Sequence, residues 1–313
     1  MKLIPCLLCA AAAVAAVLPA HAAPKKVLVV TITTAFRHTS IPAAEASLAK
    51  MAAASGQFTV DFVSQPPGQP KAPARPKPGA GGETDPAYRA ALQQFEAELK
   101  PYQQAMELWL GKAAEALQAL SPQNLKKYDA VCFVHTTGDL PLPDKQGFLD
   151  WIAAGHAFIG VHAASDTFHG FPAYLAMVGG EFKTHGPQVS VDCINEDPAH
   201  AATSHLPATW TLFDEIYQFN RFERRTVHGL LRLDKHPNNH TPGDYPLSWC
   251  KPFGTGRVFY TALGHREDLW DKEFAQRSNS PDIAGQFNQH LLGGILWSLG
   301  LAPGDATPQA VKP

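Results

Sequence analysis

The sequence predicts an α/β fold: an open, mostly parallel sheet with helices on both faces and a β-rich elaboration in the second half. Three observations carry this. Residues 27–33, 130–134, 157–161 and 257–263 are strongly apolar runs, as expected of strands buried on both faces. The first of them alternate with helical segments, the order that builds a parallel sheet. Each run also leads, at once or within a few residues, to a histidine: His38, His135, His162 and His265. Ligands of open α/β sheets bind beyond the carboxyl ends of the strands, so residues far apart in sequence would meet there. Histidine suits such an edge because it exchanges a proton near neutral pH or binds a metal.

In chain order, residues 26–33 read as the first buried strand, because Val, Leu and Ile follow one another. Ser40 and Pro42 open a helix through about Ala54, with Pro42 in the first turn where its missing N–H costs little. Residues 58–63 are the second strand. Residues 65–86 are dense in Pro and Gly and read as a mobile loop. Residues 87–119 carry helix formers, with Pro101 expected to separate two helices; 65–119 together read as an insertion. Strand 128–134, helix 143–154 ending at Gly155, and strand 157–161 follow. Residues 188–194, 209–219, 229–233 and 247–250 are strand-like with short turns. A late buried strand at 257–263, a closing amphipathic helix at 286–299 and a polar tail at 302–313, expected to be disordered, complete the reading.

The first 22 residues read as a secretory signal peptide cleaved after Ala22: Lys2 gives a basic start, 3–18 is apolar, and Ala20-His21-Ala22 offers small residues for cleavage. The expectation is an exported, periplasmic protein that does not hold to the membrane after cleavage. Cys132, Cys193 and Cys250 remain, an odd number that leaves at least one thiol free. Charged residues are 17% of the chain and the net charge is −2, with no basic stripe; nucleic acid is not an expected partner. A homo-oligomer is compatible with the sequence.

Gly160-Val161-His162-Ala163-Ala164 has the strand, sharp turn and small residues of a nucleophile elbow. Its apex is His162, which disfavours a Ser or Cys nucleophile there. Gly179-Gly180 permit a tight path that turns His185 inward, although His185 alone is equally a surface residue. In extended structure Glu215 and Tyr217 share a face, as an acid–base pair or with Glu215 orienting a histidine. His265 ends the late strand. Catalytic candidates are therefore His162, His185, Glu215 and His265. Substrate-binding candidates are Arg37 and His38 on the first strand–helix loop, Asp166 past the elbow, and Tyr217 and Trp249 as walls for a sugar ring. A divalent metal on His162, His185 and His265 is an open alternative, without compact zinc-site spacing.

Taken together and in order, Thr34-Ala35-Phe36-Arg37-His38-Thr39-Ser40-Ile41-Pro42, Thr136-Thr137-Gly138-Asp139, Gly160-Val161-His162-Ala163-Ala164-Ser165-Asp166-Thr167, Gly179-Gly180-Glu181-Phe182-Lys183-Thr184-His185, Asp214-Glu215-Ile216-Tyr217 and residues 256–265 resemble the trehalose-utilisation ThuA-like family. The resemblance spans about residues 26–300. It implies a flavodoxin-like sheet akin to class I glutamine amidotransferases without their catalytic cysteine, and a small-molecule carbohydrate as partner. The expected function is an exported carbohydrate-active enzyme acting on a glycoside or 3-keto-glycoside in disaccharide catabolism, a hydrolase or lyase using a His/Glu cluster. A non-catalytic sugar-binding protein and a His-liganded metallohydrolase are the alternatives.

Overall fold

All five residues of Ala130–Val134 and all five of Ala157–Val161 are buried, as strands covered on both faces require. A computed structural model describes residues 23–309; the signal peptide expected at 1–22 lies outside the described residues, as does the last part of the tail. The strands are β1 (Lys25–Val30), β2 (Phe58–Val63), β3 (Ala130–Val134), β4 (Ala157–Val161), β5 (Glu181–His185), β6 (Val189–Asn195), β7 (Thr209–Asp214), β8 (Tyr217–Asn220), β9 (His228–Lys235), β10 (Pro242–Phe253) and β11 (Gly256–Thr261). The helices are α1 (Ile41–Ser55), α2 (Pro86–Ala116), α3 (Pro122–Leu125), α4 (Lys145–Ala153), α5 (Pro172–Val178), α6 (Glu267–Trp270) and α7 (Pro281–Ser298).

Nine strands form one sheet in the order β2-β1-β3-β4-β11-β10-β9-β6-β7. The first five are parallel, and the rest extend the sheet antiparallel, which accounts for the β-rich second half. One face packs on α1 and α7 through residues such as Leu48, Phe287 and Ile295. The other packs on α4, α5 and the end of α2 through Phe148, Tyr174 and Trp109. β5 and β8 form a separate two-stranded ribbon. The strand expected over 209–219 is broken at Glu215-Ile216, where the chain leaves the main sheet for this ribbon. Cys132, Cys193 and Cys250 are all free and buried.

The insertion differs from expectation. Pro101 lies inside one continuous helix, α2. The carbonyl it leaves without a helical donor belongs to Ala97, and both residues are exposed, so water can serve it. The preceding Pro-rich segment is tied down at its start: Gln65 Oε1 accepts the Thr33 N–H at 2.7 Å, and Trp109 Nε1 donates to the Pro66 carbonyl at 3.1 Å. Farther out, Pro70, Pro73 and Pro76 are half-buried while the residues between them are exposed, the three-residue period of polyproline II. On α2 the half-buried side chains Tyr88, Leu92, Phe95, Leu99, Tyr102 and Met106 recur at spacings of three and four, one stripe of a helix. Residues 66–78 as polyproline II would span about 37 Å, and α2 from residue 86 to 109 about 35 Å. The two segments are joined at one end by the Trp109–Pro66 bond.

The tail expected to be disordered is bonded to the fold over 303–309. The Pro303 and Gly304 carbonyls accept from Ala201 N and Trp297 Nε1, His228 Nδ1 bonds the Thr307 carbonyl at 2.8 Å, and Gln309 Nε2 donates to Gly229 O at 2.7 Å. These bonds satisfy polar groups along β9 and beside α7, which composition alone does not reveal. No helix among the described residues is long and apolar enough to cross a membrane.

His290 of α7 is fully buried, with Nδ1 on the Ala202 carbonyl at 2.8 Å. Burial pushes its pKa down to about 3. The unfolded chain protonates this imidazole below about pH 6.5 and the folded chain does not, so its contribution is present above that pH and is lost as pH falls toward 3. Wild type should therefore lose stability relative to His290→Gln by up to about 1.4 kcal/mol per pH unit between pH 6.5 and 4. Urea denaturation of both proteins across that range measures this; parallel pH profiles would refute it.

Candidate functional site

β4 pairs in parallel with β3 and β11, Val161 lying beside Val134 and Thr261. The next residues, His135, His162 and Ala262, therefore emerge side by side at the strand ends. His135 and His162 take left-handed backbone, with φ of 55° and 51°, which costs a non-glycine residue about 1 kcal/mol or more. The sharp turn lifts the His162 ring over the sheet edge, as the elbow-like sequence predicts. His162 Nδ1 donates to the Ala262 carbonyl at 2.6 Å. That bond fixes the tautomer and leaves the Nε2 lone pair facing the site.

Glu215, 7% exposed, sits where the chain leaves β7 for β8. Its Oε1 is 3.2 Å from His265 Nδ1 and 3.7 Å from His162 Nε2, and its Oε2 is 3.0 Å from His185 Nδ1. His265 Nδ1 and His162 Nε2 are 3.3 Å apart. The β5–β8 ribbon places His185 opposite Tyr217, and the Tyr217 ring lies 4.2 Å from that of His162. His38 packs among the rings of His135, His162 and His265 at 5.0, 4.8 and 5.2 Å. Asp214 is buried beneath, its Oδ2 accepting the Gly264 N–H at 2.8 Å.

Burial, reinforced by neighbouring imidazoles, holds His135 and His162 well below the ordinary histidine range and brings His38 down to about 4. These rings are neutral at neutral pH. His265 differs: burial works against its charged form, but the hydrogen bond and charge of Glu215, with Asp214 and Glu267, raise its pKa. Burial also pushes the Asp214 carboxyl up to about 7, against the Gly264 N–H bond that favours its anion. Asp166 is likewise raised by burial, although His169 at 2.7 Å pulls the other way.

A pocket of about 330 Å³ opens over this cluster, lined by Phe36, His38, Asp166, Phe182, His185, Glu215, Tyr217 and His265. It is at the small end of ligand pockets. The structure thus brings His185, Glu215, His265, His38, Asp166 and Tyr217 together, with His162 directly beneath. Two expected binding residues lie elsewhere. Arg37 turns away, its Nη1 donating to the Thr31 carbonyl and Gln65 Oε1 at 2.9 and 3.1 Å. Trp249 is 0% exposed in the core, its Nε1 donating to the Val178 carbonyl at 2.8 Å, so it offers no surface to a sugar. Phe36, which no local sequence signal marks as a binding residue, is 64% exposed at the pocket and offers the open aromatic face instead. No lining residue comes from the 65–119 insertion.

One nitrogen or oxygen each from His38, His162, Glu215 and His265 lie within 4.8 Å of one another. The set suited to a metal thus contains His38 and Glu215 where the sequence suggested His185, which instead holds the other oxygen of Glu215.

A profile of the ThuA family, described as trehalose utilisation, matches residues 81–298. A ThuA-like protein from Parabacteroides merdae superposes with a TM-score of 0.58 at 18% identity, covering 90% of this chain and 92% of that one. A ThuA-like protein from Bacteroides uniformis gives 0.54 at 20% identity, covering 90% and 95%. Both likenesses bear on the fold. No curated protein matches the chain.

Trp249→Phe should lower folding stability by about 2–4 kcal/mol, through a cavity and an unpaired Val178 carbonyl. Denaturant melts measure this; unchanged stability would contradict its structural role in the core.

Proposed function

The chain belongs to the ThuA family of trehalose utilisation, and from that premise we propose an exported enzyme that acts on a glycoside or 3-keto-glycoside by acid–base chemistry. Export is supported by the leader-like sequence of residues 1–22. The observation that carries the chemistry is the placing of Glu215 between His185 and His265 at the wall of a sugar-sized pocket.

The His185 side chain is 44% exposed, and its Nδ1 lies 3.0 Å from Glu215 Oε2 and 2.9 Å from the Gly186 carbonyl. Two acceptors at Nδ1 place the proton there and leave Nε2 as the basic nitrogen. His162 is fully buried and takes a supporting role. A carbonyl at C3 of a sugar acidifies the C2–H. His185 removes that proton, the C–H electrons form the C1–C2 double bond, and the C1–O glycosidic bond breaks toward the departing alcohol. Asp166, the second carboxyl that lines the pocket, gives a proton to the leaving oxygen. Water then adds across the new double bond, so the sum is hydrolysis. Glu215 stabilises the imidazolium formed on His185. Phe36 and Tyr217 supply aromatic faces for the ring.

Purified protein incubated with 3-keto and ordinary disaccharides, with products followed by mass spectrometry, should cleave the keto substrate. His185→Ala should lower that turnover by about 100-fold or more. Undiminished turnover in folded His185→Ala would discard this assignment of the base, and tight sugar binding without product would favour a binding protein.

A further inference from the structure

We infer that His38, His162, His265 and Glu215 form a binding site for one divalent transition-metal ion at the floor of the pocket. Ligand atoms held about 2.0–2.2 Å from an ion stand about 2.8–3.1 Å from their neighbours in an octahedron and about 3.3–3.6 Å apart in a tetrahedron. The separations within the cluster are 3.2, 3.3 and 3.7 Å for His265 Nδ1 to Glu215 Oε1, His265 Nδ1 to His162 Nε2, and His162 Nε2 to Glu215 Oε1. The His38 ring is in contact with those of His162 and His265 and brings the fourth donor within 4.8 Å of the others.

Three further observations point the same way. The Ala262 carbonyl takes the Nδ1 proton of His162, the outer-shell bond that typically aims a metal-binding imidazole. His185 holds Glu215 by Oε2, leaving Oε1 to the histidines. His38 Nδ1 is buried without a hydrogen-bond partner, which is costly unless a ligand changes that ring's surroundings. Three imidazoles and one carboxylate suit zinc, manganese, iron or cobalt better than calcium or magnesium, which prefer all-oxygen shells. His38, Glu215 and His265 also line the open pocket, so the ion would keep a position for an exogenous oxygen, as catalytic sites do. The ligand class for that position is a sugar carbonyl or hydroxyl oxygen. This last point rests on the carbohydrate reading above; the metal site does not.

Full-length protein stripped with chelator should bind about one equivalent of Zn²⁺ or Mn²⁺ by calorimetry and elemental analysis, and bound metal should raise its melting temperature. Co²⁺ should give visible absorption bands from a nitrogen- and oxygen-ligated ion. His162→Gln and His265→Gln should each weaken binding at least tenfold, and His38→Gln serves if either fails to fold. His185→Gln should keep one equivalent, because that ring lies outside the set. Less than a tenth of an equivalent in wild type, or affinity unchanged in the folded ligand variants, would overturn the site. Metal bound as described with no turnover of any sugar would keep the site and discard the carbohydrate reading. Keto-sugar turnover by protein that takes up no metal would do the reverse.

Discussion

The parallel pairing of β4 with β3 on one side and β11 on the other is the constraint on which the site depends. Because Val161 is level with both Val134 and Thr261, His135, His162 and Ala262 emerge at a common edge. A one-residue slip in register would move side chains to the opposite face and take the Ala262 carbonyl away from His162. The buried apolar residues on both sides of these strands resist such a slip. Core packing and functional geometry are thus one arrangement: the buried apolar residues that hold the strands in register also set the level at which the histidines stand.

Glu215 is the second element of the design. Its charge is removed from most of the solvent, which is tolerable only because His185 and His265 stand within hydrogen-bond reach of its two oxygens. Three neighbouring rings, His38, His135 and His162, are kept neutral by burial and by one another. The result is a site rich in lone-pair donors, in which Glu215 raises the proton affinity of His265 alone among the rings it faces at the floor. Glu215 comes from the point where the chain leaves the main sheet, and His185 from the separate ribbon, so the sheet supplies the floor and the ribbon one wall.

Much of this was legible in the sequence because it depended on local pattern. Unbroken apolar runs marked the parallel strands, and the histidines that follow them marked the edge. The Gly-Val-His-Ala-Ala turn marked the elbow that φ of 51° at His162 realises. What was not legible depended on packing across the molecule. Trp249 has the side chain of a sugar platform, yet its place between α5 and β11 buries it completely. Arg37 adjoins His38 in sequence but is drawn off by Thr31 and Gln65. Pro101 is a helix breaker by its chemistry, yet an exposed helix face lets water serve the carbonyl it strands. The exchange of His185 for His38 around the prospective ion likewise follows from ring-to-ring distances that spacing along the chain does not encode.

If this edge removes a proton beside a sugar carbonyl, that proton must exchange with solvent. The most direct measurement is hydrogen–deuterium exchange at C2 of a simple 3-keto-glucoside in deuterated buffer, followed by NMR with and without the protein. Exchange at C2 should run well above the buffer rate and be strongly reduced in Glu215→Gln. Exchange at the buffer rate with the sugar demonstrably bound would contradict it.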